Sequence, residues 1–126
     1  ESEQNVSQSE EVENICDFSM LYEFTNSNKN IVESTLKLLL TIVPKDIEEL
    51  SKEISLRNFS RVKAIAHRSK PNFKLICTKE YAGVIELIEE LAEGSNNYNQ
   101  IAKIISDLVQ KENYILNSIE QELSSL

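Results

Sequence analysis

The sequence predicts an all-α fold, an antiparallel four-helix bundle with a short N-terminal lid helix. Three observations carry this. From about residue 15 onward the apolar residues recur every three or four positions. No alternation of period two is sustained. The 126 residues contain only two Gly and two Pro, so few positions interrupt a helix. A chain of this length makes one ordinary domain that can bury a core without metal or disulfides.

Residues 1–14 hold five Glu, no basic side chain and little to bury, the composition of an acidic disordered linker. The helical domain is expected over 15–126. Asp17 is placed to cap a short helix carrying Phe18, Leu21 and Tyr22 on one face. Asn28 or Asn30 opens a long helix whose apolar stripe runs Val32, Leu36, Leu39, Val43, Ile47, Leu50 and Ile54. Pro44 interrupts it, and because the stripe keeps its phase a kink is expected rather than a restart. Asn58 reads as the next N-cap, of a helix through about Ile76. Thr78 and Glu80 start another, with Tyr81, Val84, Ile85, Ile88, Leu91 and Ala92 inward and Gly94 at its end. Gly83 inside it costs about 1 kcal/mol relative to Ala, which close approach of a neighbouring helix would explain. A last helix carries Ile101, Ile104, Ile105, Leu108, Ile115, Ile119 and Leu123. Short polar turns between the four main helices favour antiparallel neighbours.

The chain carries 21 acidic and 13 basic side chains, for a net charge of −8. That balance excludes a general nucleic-acid binder, which needs a broad basic surface. No run of about 18 apolar residues is present to span a membrane. The charge is unevenly spread. From Ile54 to Lys79 there is no acid, but there are Arg57, Arg61, Lys63, Arg68, Lys70, Lys74 and Lys79. This island carries +7, leaving −15 for the remainder. Cys16 and Cys77 have no metal-type spacing and read as two reduced cytosolic thiols used as small apolar residues.

The one histidine, His67, sits inside the basic island. On a wheel of about 100° per residue, Val62, Ile65, Ala66, Ser69, Phe73 and Ile76 form a buried face roughly opposite it. Ser60, Lys63, Lys70, Pro71 and Lys74 fall within about 60° of the ring, which therefore points outward in a lysine stripe. Neutral imidazole is a good nucleophile towards phosphorus, and neighbouring lysines disfavour a second positive charge on the ring. The same ammonium groups can offset the charge of an arriving phosphoryl group. Metal binding is not expected, because no second His, Cys pair or carboxylate lies one turn away on this helix.

The segment Ala66-His67-Arg68-Ser69-Lys70-Pro71-Asn72-Phe73-Lys74-Leu75-Ile76-Cys77 resembles the histidine phosphotransfer (HPt) domains of multistep two-component phosphorelays. His67 and Lys70 match the two most telling positions of that family, and the order of helices extends the resemblance from about Cys16 to Leu123. The resemblance implies a four-helix bundle that is a phosphocarrier and not an enzyme. Its histidine takes a phosphoryl group from the aspartyl phosphate of one response-regulator receiver domain and passes it to another. On this basis His67 is the phosphoacceptor and Lys70 stabilises the phosphoryl charge, with Lys63, Pro71 and Lys74 as contacts to the partner. No cofactor is expected, since the magnesium belongs to the receiver. The chain departs from the family pattern at Pro71 and Cys77, where glycine is usual, and at Lys74, usually a small residue.

A second reading is a non-catalytic adaptor that docks receivers without relaying phosphate, although such a protein has less need of His67 and Lys70. A third is the phosphoacceptor hairpin of a sensor kinase. Such hairpins place an acid after the histidine and a proline five residues on, whereas here Arg68 follows and the proline comes at four. That hairpin must dimerise, and the HPt bundle is expected to be a monomer. The acidic leader and missing Met suggest a cytoplasmic segment of a larger hybrid sensor histidine kinase, with a free-standing carrier as the alternative, and with no nucleic acid or membrane contact of its own.

Overall fold

The structure, a computed structural model, describes residues 15–126. The expected linker at 1–14 lies outside them. The described chain is all-helical: α1 (Ser19–Phe24), α2 (Lys29–Ser55), α3 (Phe59–Ile76), α4 (Lys79–Leu91) and α5 (Tyr98–Ser124). The stripe on α2 is buried along its whole length from Val32 to Ile54, and the helix runs through Pro44 as one element. On α3 the buried side chains are Val62, Ile65, Ala66, Ser69, Phe73 and Ile76, which leaves His67 outside. The contacts between long helices form a closed circuit, α2 on α3, α3 on α4, α4 on α5 and α5 on α2, with α1 against α3. No described helix is long and apolar enough to cross a membrane.

The helix ends follow from local hydrogen bonding. The Asn28 side chain accepts from the Ile31 N–H at 3.2 Å, so Asn28 rather than Asn30 starts α2. Thr78 caps α4 by accepting from the Tyr81 N–H at 3.2 Å. Asp17 accepts from both the N–H and the hydroxyl of Ser19 at the start of α1. α2 closes with Arg57 in the left-handed region (φ 57°), while the Arg57 N–H donates to the Ile54 carbonyl and that of Asn58 to the Glu53 carbonyl. This is a Schellman turn in which Arg57 fills the usual glycine position. Its guanidinium lies over the Tyr98 ring, 3.7 Å from the centroid.

Asn58 is the N-cap residue of α3, as expected, although its side chain makes no cap bond and its amide donates to the Glu53 carboxylate at 3.1 Å. Three expectations need correcting. α4 stops at Leu91, before Gly94, and the Asn97 side chain takes the Leu91 carbonyl at 3.1 Å. On α4 it is Ala82, Ile85 and Ile88 that are buried, while Tyr81, Val84 and Leu91 are only partly covered. No helix closes on Gly83, where an added Cβ would meet nothing within 4 Å.

Candidate functional site

α3 presents His67 with its side chain 70% exposed, and α4 supplies what faces it. Nδ1 of His67 lies 2.7 Å from Oε2 of Glu89. The other oxygen of the same carboxylate pairs with Nζ of Lys70 at 2.8 Å. One acid thus joins the two residues that the sequence singles out. Helix geometry explains the convergence: positions 67 and 70 are neighbours one turn apart on α3, so a single side chain from the adjoining helix reaches both. Glu89 is itself largely covered, at 17% exposure.

The pairing extends along both helices. Lys63 meets Glu93 at 2.7 Å, and Lys74 meets Glu86 at 3.6 Å. Glu86, Glu89 and Glu93 are spaced by three and four, as are Lys63, His67, Lys70 and Lys74, and they pair in opposite chain order. The lysine stripe is therefore not a free positive surface. The lysines expected to surround the ring stand in a ladder in which each has an acid. The Lys70 ammonium, with a smaller share from His67, holds the Glu89 carboxyl below the usual carboxylate range. Glu89 in turn raises the Lys70 ammonium above its ordinary value.

On the other side of the histidine, α2 grips α3. Asp46 is only 3% exposed, and its two oxygens accept from Nη2 of Arg68 at 2.6 Å and Oγ of Ser69 at 2.9 Å. Glu49 adds a second acceptor for Arg68 at 3.0 Å. A buried carboxylate is tolerated only with such partners. The residues following His67 are thereby fixed in rotation about the helix axis. Oγ of Ser69 also lies 2.8 Å from the Ile65 carbonyl, so its one proton is shared between that oxygen and Asp46, which settles how a hydroxyl sits on the buried face.

Pro71 is exposed on α3 within a helix that continues to Ile76. Two turns from the ring, Met20 of α1 and Lys74, Cys77, Gly83 and Glu86 line part of a groove of about 490 Å³. Met20 and Leu87, the latter one turn beyond Gly83, are exposed apolar side chains. Among the described residues no group of three or more His, Cys, Asp or Glu is placed to hold a metal ion.

Glu89 and Asp46 are the site residues that sequence reasoning missed. Glu89 had a readable signal, the acidic spacing on the helix after the lysine helix. Asp46 had none that separates it from the exposed acids around it. In comparisons with known proteins, the chain matches no family model, no curated protein and no solved structure.

Proposed function

We propose that this chain is a histidine phosphotransfer domain: an antiparallel four-helix bundle that receives a phosphoryl group on His67 from a receiver aspartyl phosphate and returns it to another receiver. The observation that carries the reading is Glu89, bonded at once to Nδ1 of His67 at 2.7 Å and to Nζ of Lys70 at 2.8 Å beside an exposed ring. The resemblance around His67 and Lys70 supplies the reaction class. The closed circuit of helix contacts and the reversed order of the ion pairs support the antiparallel bundle.

A carboxylate acceptor favours the proton on Nδ1 and leaves the lone pair on Nε2. Nε2 attacks phosphorus as the acyl-phosphate P–O bond breaks, and the receiver carboxylate leaves. The product ring carries a positive charge and keeps its Nδ1–H towards Glu89, which offsets that charge. The Lys70 ammonium swings from Glu89 to a phosphoryl oxygen, so one acid steadies the ring while its lysine partner steadies the phosphate. Transfer to the next receiver reverses these steps. The chain needs no metal for this, since magnesium acts on the receiver. The exposed Met20 and Leu87, with the groove that Met20 helps to line, suit a receiver docking face.

The test uses a receiver phosphorylated with a radiolabel in the presence of magnesium, with wild type and His67→Gln in parallel. Acid-labile, base-stable label on wild type alone establishes the carrier. Receiver binding without label from any of several receivers overturns the relay and leaves a docking adaptor. Gel filtration separates both from a kinase hairpin, which would run as a dimer.

A further inference from the structure

Cys16 and Cys77 are 61 positions apart in the chain. They nevertheless form an isolated antiparallel bridge between the segment before α1 and the α3–α4 turn. The Asp17 N–H donates to the Ile76 carbonyl and the Thr78 N–H to the Ile15 carbonyl, both at 2.9 Å. The bonds flank the two cysteines and do not involve their own amides, which makes Cys16 and Cys77 a non-hydrogen-bonded pair. In such a pair the Cα atoms stand about 4.5 Å apart and the side chains leave the same face. That separation lies inside the range of about 4.4–6.8 Å that a disulfide spans. Both are free thiols in this structure.

We infer that Cys16 and Cys77 form a reversible intramolecular disulfide, made by exchange with a low-molecular-weight disulfide, which pins α1 to the α3–α4 turn. The two cysteines have unequal parts. Cys16 is half-buried, and hydrogen bonds from Cys77 and Ser118 lower its thiol below the ordinary cysteine value. Cys77 is buried, and its contact with Cys16 and its burial push its thiol up. Because Cys16 is the more exposed of the two, it is the attacking group. Its thiolate displaces one thiolate from the external disulfide and becomes a mixed disulfide. Cys77 then loses its proton and attacks the Cys16 sulfur, expelling the second external thiol. Two protein thiols are oxidised, and one external disulfide is reduced to two thiols.

The neighbourhood is compatible with this exchange. The Tyr81 hydroxyl is buried without a hydrogen-bond partner, and burial above all, then Asp107 and only after them the two cysteines, push its ionisation up. Cys77 lines the groove that also holds Met20, Lys74 and Gly83, so the bond fixes that groove in one shape. None of this depends on phosphotransfer by His67.

The test equilibrates the full 126-residue chain in a buffer of reduced glutathione and glutathione disulfide, quenches the thiols by alkylation and maps them by mass spectrometry. The expected product is a monomer lighter by two hydrogens, with peptides containing Cys16 and Cys77 linked. Its equilibrium constant should exceed that of the urea-unfolded chain by about tenfold or more, because the fold holds the pair together. Oxidation should raise Tm by about 10 °C. Cys77→Ser should stop at a mixed disulfide on Cys16, and Cys16→Ser should give no linked product. A constant no larger in the folded chain than in urea overturns the inference, as does a mixed disulfide that persists unpaired in the folded wild type.

Discussion

Glu89 decides how the exposed ring is presented. A histidine on an open helix face samples both tautomers and several ring orientations, and a carboxylate 2.7 Å from Nδ1 selects one of them. In Glu89→Gln the side chain keeps its length, but its amide group can donate to Nδ1 as readily as its oxygen accepts, so the selection is lost. On the proposed mechanism, label uptake from a phosphorylated receiver falls about tenfold while receiver affinity stays within twofold. Proton–nitrogen correlation spectra of His67 should show the Nδ1–H tautomer in wild type and a mixture in the variant. Unchanged uptake together with an unchanged tautomer would remove Glu89 from the mechanism and leave it as one rung of a surface ladder. The partners of Lys63 and Lys74 make a useful contrast. Their pairs are exposed and reach no ring, and exposed pairs contribute only about 0–1 kcal/mol, so Glu93→Gln should leave uptake where it is.

The α3–α4 pair shows at the scale of elements what a sequence can and cannot say. Both helices are held by buried faces, and those faces are local patterns: Val62, Ile65, Phe73 and Ile76 recur at helical spacing, as do Ile85 and Ile88. Gly83 breaks the pattern with no steric reason, because a Cβ there meets nothing within 4 Å. Gly83→Ala should therefore stabilise the protein by about 1 kcal/mol in urea unfolding. The new methyl group would add to the groove that Met20 and Lys74 also line, so on the proposed docking face receiver affinity should fall as stability rises. A loss of stability would mean that α4 leans on a neighbour at this position. The stripes, the Thr78 cap and the outward-facing His67 are legible because each depends on residues within a turn or two. Glu89 under His67, Asp46 under Ser69 and the Cys16–Cys77 bridge are not. Each depends on which residue of a distant segment falls opposite, and that register is set by packing of whole faces. The end of α4 was missed for a similar reason. Gly94 is a good local stop, but a side chain six residues beyond Leu91 satisfies that carbonyl first.

Across the whole molecule the excess of acid, a net charge of −8, makes stability depend on pH through terms of opposite sign. Asp17, Glu49 and Glu89 are held below the ordinary carboxylate range, by Ser19, Arg68 and Lys70 respectively. Each contributes stability that is present above its unfolded pKa of about 4–4.5 and is lost as the pH falls through its lower folded value. Glu112 on α5 behaves in reverse. Burial and the nearby Glu48 of α2 raise its carboxyl above the ordinary value of 4.5. Its ionised form is disfavoured in the folded state, so it subtracts from stability at neutral pH, and the subtraction vanishes once the pH falls below its unfolded value. Glu112→Gln should then raise Tm at pH 7 by about 2 °C, allowing for solvent screening of a partly exposed group. The gain should shrink as the pH approaches 4 and disappear below it. Glu49→Gln should lower Tm at pH 7, and that loss should also fade on acidification. Scanning calorimetry of the three proteins from pH 3 to 8 measures both, as curves that converge at the acid end from opposite sides. A Glu112→Gln curve lying below wild type at pH 7 would mean that the Glu112 carboxylate has a favourable partner between α2 and α5 that outweighs its burial.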